Sequence, residues 1–433
     1  MLFKRFVKHA VVVGVASASM VGVAQANDLP ELLRGLIQTN AEVKAAAANR
    51  DGAQSDLRSS KGDWFPTVTL NGKMGHEGTN FGATPSTGAK SSQWKFSFEQ
   101  KLWDFGKTQA DISASRSDAS KKNIALEEKV QTVLRSGANA YVELVAAYTV
   151  LENTKSIEQR VKDQTSSEMQ RLSAGGGLRK DVLQSEAALS RAKEKRLKAE
   201  LKLSRALNEY RRWFNVVPEN LASLKPVQIT AEIPAMEDML SGLTSSNLTL
   251  KKSAKNVEKA KYDLKSTRSD GYFPELKLTG SYTFQNDMGG TAGADEDTSF
   301  LVEMDMPFNL GLAAVHDVNS ARSALVAQQE TLDNAQDKVE KVLRNVYQKL
   351  ITHQELVSRY EESVRLNEHF LMLARKERKL GGGRLSSLLD ILNAERKVID
   401  ANSDLQESKA EVAMAKIELL EIVGQLTPDL FTH

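Results

Sequence analysis

Along most of the chain apolar side chains recur at steps of three and four, while in four short stretches they alternate with polar ones at every second position. The first period is that of a helix with one buried stripe, the second that of a strand with one apolar face. Between 107 and 173 the stripe is Leu126, Val130, Val133, Gly137, Tyr141, Leu144, Tyr148 and Leu151. Between 313 and 380 it is Val339, Val342, Val346, Leu350, Val357, Val364 and Leu371. Neither stretch holds a proline to interrupt it. Unbroken helices of that length would reach about 100 Å, well beyond an ordinary domain core. Shorter returning helices are expected over 179–213 and 385–424. Periodicity alone fits an antiparallel coiled coil equally well.

The alternating stretches lie at about 64–74, 94–104, 272–284 and 299–308. Trp94, Phe96, Phe98 and Leu102 share one face, and Lys95, Ser97, Glu99 and Lys101 the other. Leu276, Leu278, Tyr282 and Phe284 alternate with Lys277, Thr279, Ser281 and Thr283, and Phe300, Val302 and Met304 with Leu301, Glu303 and Asp305. Each stretch is about ten residues, the length a tilted strand needs to cross a bilayer. Trp64, Phe65, Trp94, Trp103, Tyr272 and Phe273 lie near the strand ends, where amphipathic rings settle at a membrane interface. The connections expected over Gly75–Gln93 and Gln285–Ser299 are rich in small polar residues, as in extracellular loops of a barrel. A half-buried soluble sheet is the alternative, although it would more usually close its hairpins with two-residue turns.

All of this is written twice. Trp64-Phe65-Pro66 returns as Tyr272-Phe273-Pro274, Asp104-Phe105-Gly106 as Asn309-Leu310-Gly311, and Gly175-Gly176-Gly177 as Gly381-Gly382-Gly383, each about 206 positions on. The organisation predicted is a leader at 1–26, a first unit at 27–236 and a second at 237–433. The fold class is mainly α with membrane β, in a duplicated helix-strand-strand-helix unit. Lys4, Arg5 and Lys8 precede an apolar run and Ala24-Gln25-Ala26, the pattern of a cleaved secretory signal peptide.

Composition narrows the chemistry. The net charge is +2, and the leader carries three of the basic residues, so no basic excess remains to attract nucleic acid. With no cysteine, a disulfide framework, a thiolate metal site, a cysteine nucleophile and a lipidated cysteine are all excluded. The histidines are scattered, and neither His-Glu-x-x-His nor Gly-x-Ser-x-Gly occurs. No catalytic residue, metal or cofactor is expected. Long helices fused to bilayer-length strands suggest a conduit. Four strands cannot close a barrel, and open edges are not tolerated in lipid, so at least two chains must pool their strands.

The duplicated order, Leu102-Trp103-Asp104-Phe105-Gly106 and the segment from Gly383-Arg384-Leu385-Ser386 through Asp390-Ile391-Leu392-Asn393-Ala394-Glu395 resemble the TolC-like outer-membrane channel-tunnels of type I secretion systems and multidrug efflux pumps. The resemblance covers essentially the whole mature chain. It implies a homotrimer with a 12-stranded barrel in outer-membrane lipid, continuing into a helical periplasmic barrel whose inner end closes like an iris. It also implies a periplasmic adaptor (membrane fusion) protein and an inner-membrane transporter as partners, with an ABC transporter favoured. The tip segment is more like type I secretion members, and efflux of small compounds is the alternative. A soluble periplasmic coiled-coil adaptor is the alternative outside the family.

Each glycine triplet is flanked by long helices and is expected to reverse the chain. Neither carries the Gly-Lys-Ser/Thr spacing of a phosphate-binding loop. Asp181 and Asp390 follow these turns, where a carboxylate complements a helix N-terminus. By the resemblance, Asp390 falls on the family's acidic constriction, whose second position is Asn393 here. Lys180 and Asp181 fall where the family ties its hairpins shut, with Arg384 or Ser386 as partners.

Overall fold

The computed structural model describes residues 28–79, 87–288, 293–306, 308, 310–379 and 388–432. The leader at 1–26, Asn309, Gly381, Gly382, Gly383, Arg384 and Ser386 lie outside the described residues. Each half opens with two consecutive helices, α1 (Leu29–Thr39) and α2 (Ala41–Gly62) in the first. A hairpin follows, of β1 (Thr67–Thr79) and β2 (Thr87–Trp103), and then α3 (Lys107–Ser173) and α4 (Arg179–Phe214). After a short strand, β3 (Gln228–Ile229), the second half repeats the order with α5 (Met236–Ser246), α6 (Leu248–Tyr272), β4 (Glu275–Asn286), β5 (Ala294–Asp305), α7 (Ala313–Lys379) and α8 (Leu388–Ile422). The terminal β6 (Phe431–Thr432) pairs with β3.

The two 67-residue helices α3 and α7 run the length of the helical wall. Toward the strands the packing order is α2, α3, α6, α7, and toward the opposite end it is α4, α3, α8, α7. The breaks between paired helices follow from asparagine in both halves. Asn40 Oδ1 accepts from the amides of Glu42 and Val43, and Asn247 Oδ1 accepts from Leu250, so each begins a new helix one residue after the last one ends. Asn247 Nδ2 also donates to the Ile422 carbonyl at 2.8 Å, fixing α6 against the end of α8. Around this midpoint Leu29, Leu33, Tyr141, Leu144, Tyr210, Ile417 and Phe431 form the main apolar core.

The four long strands make one antiparallel sheet in the order β1-β2-β4-β5. Pro66 and Pro274 precede β1 and β4 and favour extended backbone on entry. The ladder runs further than the sequence suggests, because Gly75–Thr79 pair with Thr87–Ser91 and Gln285 and Asn286 pair with Asp295 and Ala294. The long connections expected over 75–93 and 285–299 are therefore corrected to shorter ones. The residues there are polar or small and show no alternation, but backbone donors and acceptors continue to satisfy each other across the hairpin. No helix among the described residues is long and apolar enough to cross a membrane.

Candidate functional site

One face of the sheet is oily and bare. Leu70, Met74, Phe300 and Met304 are between 65% and 79% exposed, and Val68, Trp94, Phe96 and Val302 are exposed beside them. Among the described residues no other element covers this face. Two aromatic rings on it lie over glycines of the neighbouring strand, at equivalent places in the two hairpins. A Cβ on Gly72 would meet the Trp94 ring at 2.8 Å, and one on Gly280 would meet the Phe300 ring at 2.9 Å. Trp94 thus rests on the sheet within the strand, and Trp64, Phe65, Trp103, Tyr272 and Phe273 gather at the helix-proximal end. There Phe105 stacks on Phe273 at 5.2 Å and takes the edge of Trp103 at 6.1 Å.

The opposite face is polar and pairs across strands. Lys277 lies 3.7 Å from Glu99, 3.7 Å from Glu275 and 3.6 Å from Asp305. Thr279 donates to Glu303 at 2.9 Å, and the hydroxyls of Ser281 and Ser299 are 2.9 Å apart. A sheet greasy on one side and ion-paired on the other separates lipid from water. Its outer strands β1 and β5 each have a single neighbour in the sheet, which leaves a ladder of backbone groups open at each edge.

Strand becomes helix at Asp104, which is buried. Its carboxylate accepts from the amides of Gly106 at 3.1 Å and Thr108 at 2.7 Å, while Phe105 and Gly106 turn through φ of 53° and 89°. A short polar side chain thereby satisfies two of the donors at the start of α3.

At the far end of the wall, the first glycine triplet closes α3 with paired reversed bonds. The Gly175 amide donates to the Leu172 carbonyl and the Gly176 amide to that of Arg171, each at 3.0 Å, with Gly175 at φ 79°. Lys180 is exposed in the first turn of α4 and Asp181 half-buried beside it. Asp181 faces Arg378 of α7 at 3.9 Å, and Arg378 donates to Glu168 of α3 at 2.7 Å. The partners considered from sequence, Arg384 and Ser386, lie outside the described residues. Asp390 and Asn393 occupy the exposed side of the first turns of α8, while Leu388, Ile391, Leu392, Ala394 and Glu395 form its buried side.

Glu395 is the most unusual group in this region and escaped sequence reasoning. It is 2% exposed, paired with Arg375 of α7 and 3.6 Å from Arg160 of α3. Burial pushes its carboxyl above the usual range, against the pull of Arg375 and Arg160. Glu168 is equally buried. A signal for both existed, because each carboxylate falls on the apolar stripe of its helix: Ile157, Val161, Thr165, Glu168 on α3, and Leu388, Ile391, Glu395, Val398 on α8.

Residues 32–214 and 239–425 match the model of the family described as outer membrane efflux protein. The outer membrane protein TolC of Salmonella enteritidis is 21% identical over 429 residues, covering 96% of this chain and 86% of that protein. The outer membrane efflux protein BepC of Brucella suis biovar 1 is 22% identical, covering 98% and 91%. Among solved structures, the outer membrane protein VceC from Vibrio cholerae superposes with a TM-score of 0.78 at 18% identity, covering 92% of this chain and 96% of that one. Both matched stretches span a whole helix-strand-strand-helix unit, so the bare apolar sheet face and the long wall belong to one known design. The chain is a member of the outer membrane efflux protein family, an export channel that sits in the outer membrane and extends into the periplasm.

Proposed function

We propose that this channel is the outer-membrane component of a type I protein secretion system. Family members are trimeric and work with periplasmic adaptors and inner-membrane transporters. In this reading three copies pool twelve strands, a membrane fusion protein grips the helical wall, and an ABC transporter supplies the energy. The observation that carries the reading is the tip sequence from Gly383 through Asp390 and Glu395, which resembles that of type I secretion members more than that of efflux members. Among relatives, AprF of Pseudomonas aeruginosa, 23% identical over 76% of this chain, is named for alkaline protease secretion. The second reading, efflux of small compounds, is favoured by relatives such as the toluene efflux pump protein TtgC of Pseudomonas putida, 21% identical.

Asp390 and Asn393 project from α8 on its uncovered side, and three copies of Asp390 would form an anionic ring that favours cations. The turn at Gly175, Gly176 and Gly177, with Lys180 and Asp181, takes the role of a gating tip in this reading, and the resemblance assigns the same role to Gly381, Gly382, Gly383, Arg384 and Ser386.

A deletion strain separates the two cargoes. Loss of one or more large polypeptides from the culture supernatant, with drug tolerance unchanged, is the expected result. An unchanged supernatant with sharply increased drug sensitivity would transfer the function to efflux.

A further inference from the structure

Between α4 and α5, residues 226–233 lie across the helical wall as a strap, from α3 and α8 over to α7. The strap is fastened at points along its course. Just before it the Tyr141 hydroxyl donates to the Lys225 carbonyl at 3.3 Å, the Thr230 amide donates to the Leu430 carbonyl at 3.1 Å, and Ile233 packs against both the Tyr141 and the Leu343 clusters. Between these fastenings the wall falls short of the strap. Ala146 of α3 and Ala410 and Ala413 of α8 are too small to fill the space below Val227 and Ile229, which leaves a cavity of about 670 Å³. A second cavity of about 490 Å³, between residues 229–233 and Tyr347 and Leu350 of α7, adjoins it, and Ile229, Gln354 and Lys416 line both. Each has the size of a small-ligand site, about 300–1,000 Å³.

Two lysines stand on this mostly apolar lining. Lys409 is neutralised by Glu361 at 2.8 Å. Lys416, half-buried where the two cavities meet, makes no ion pair or hydrogen bond among the described residues. The one carboxylate on either lining, Glu232, is exposed and unpaired with it. A half-buried ammonium without a counter-charge gains by taking an anion, provided the rest of that anion suits an apolar floor. We propose that the space beneath the strap binds a long-chain fatty acid, with its alkyl chain along the alanine floor and its carboxylate on Lys416. Gln354, on the same two linings, adds an amide donor. A single uncompensated positive charge matches a monoanion and not a doubly charged phosphate ester. The roof selects the shape: a partner helix, about 10–12 Å across, cannot thread beneath a strap tied down on both sides, whereas a flexible alkyl chain can. The site is independent of which cargo the channel carries.

The test uses the purified full-length protein in lipid nanodiscs and a palmitate analogue carrying a diazirine near the end of its chain, with labelled peptides read by mass spectrometry. The bare sheet face, with Leu70 and Phe300, takes label from the bilayer in every sample and serves as the reference. Label is expected in addition on residues 142–149, 226–229 and 410–413. Excess palmitate should displace it there, and hexadecanol, equal in chain length but uncharged, should not. Lys416→Ala should weaken this labelling roughly ten-fold, the loss of one charge-assisted contact. Lys416→Arg should retain it, and Ala413→Phe should abolish it by filling the floor, with the sheet reference unchanged in all three variants. Label confined to the sheet, equal displacement by hexadecanol, or label beneath the strap that survives both Lys416→Ala and Ala413→Phe would overturn the site.

Discussion

At the α3–α4 turn the three glycines are not equivalent. Gly175 is required by its φ of 79°, whereas a Cβ on Gly177 would stand 2.6 Å from the Leu172 amide nitrogen, a backbone atom that cannot give way cheaply. The nearest atom to a Cβ on Gly176 is the Arg171 carbonyl oxygen at 4.0 Å. Limited proteolysis should therefore find the tip of Gly176→Ala as resistant as that of the parent, and the tip of Gly177→Ala cleaved much faster. Equal resistance of the two would refute the close approach. The exposed Asp390 makes a separate claim. Asp390→Ala should lower the cation preference of single channels in planar bilayers several-fold, since three carboxylates would leave one ring; unaltered selectivity would remove Asp390 from the constriction. Residue type and the duplication exposed these turn residues directly, because glycine triplets and first-turn carboxylates announce themselves in the sequence. Arg378, Glu168 and Glu395 did not, because a charged residue in a long helix is ordinarily solvated, and their partners sit on other helices, about 210 positions away for Arg378 and Glu168.

Where one element hands over to the next, local chemistry decides the geometry. Asp104 caps α3 with two accepted hydrogen bonds, Ser269 of α6 donates to the Phe105 carbonyl at 3.2 Å, and the Phe105–Phe273 stack joins the two halves of the sheet base. Asp104→Ala is expected to weaken this junction by about 1 kcal/mol, the usual loss for a helix cap. Amide hydrogen exchange over 105–110 should then speed up while exchange within β2 is unchanged; exchange as slow as in the parent would show that the cap contributes little. The period-two pattern was legible here because one face is built for lipid and the other for water. Its limits were less so. Past Gly75 the strand residues are polar or small, and only the hydrogen-bonded register with Thr87–Ser91 marks them as strand. The glycines beneath Trp94 and Phe300 were also illegible, since a flat ring covering a glycine depends on which residues face each other across the hairpin.

At the scale of the whole molecule the duplication explains the shape. Each half supplies a hairpin to one sheet and a long helix to one wall, and β2 against β4 joins the halves into a single plate with β1 and β5 as its edges. A plate with an exposed apolar face and two open edges is not a finished structure in lipid. Three plates would complete the ring and give the helices a common bore, in keeping with the trimeric family to which the chain belongs. The long helices and the four strands were readable from period and repeat. The packing order of the helices was not, because α3 changes partners from α2 and α6 to α4 and α8 along its length, and the heptad stripe does not say which helix covers it. The most direct measurement is the protein mass of the mature, detergent-extracted complex by light scattering, corrected for bound detergent. The account predicts the mass of three chains, unchanged on dilution. A mass of one chain, recovered from the soluble periplasmic fraction without detergent, would contradict it.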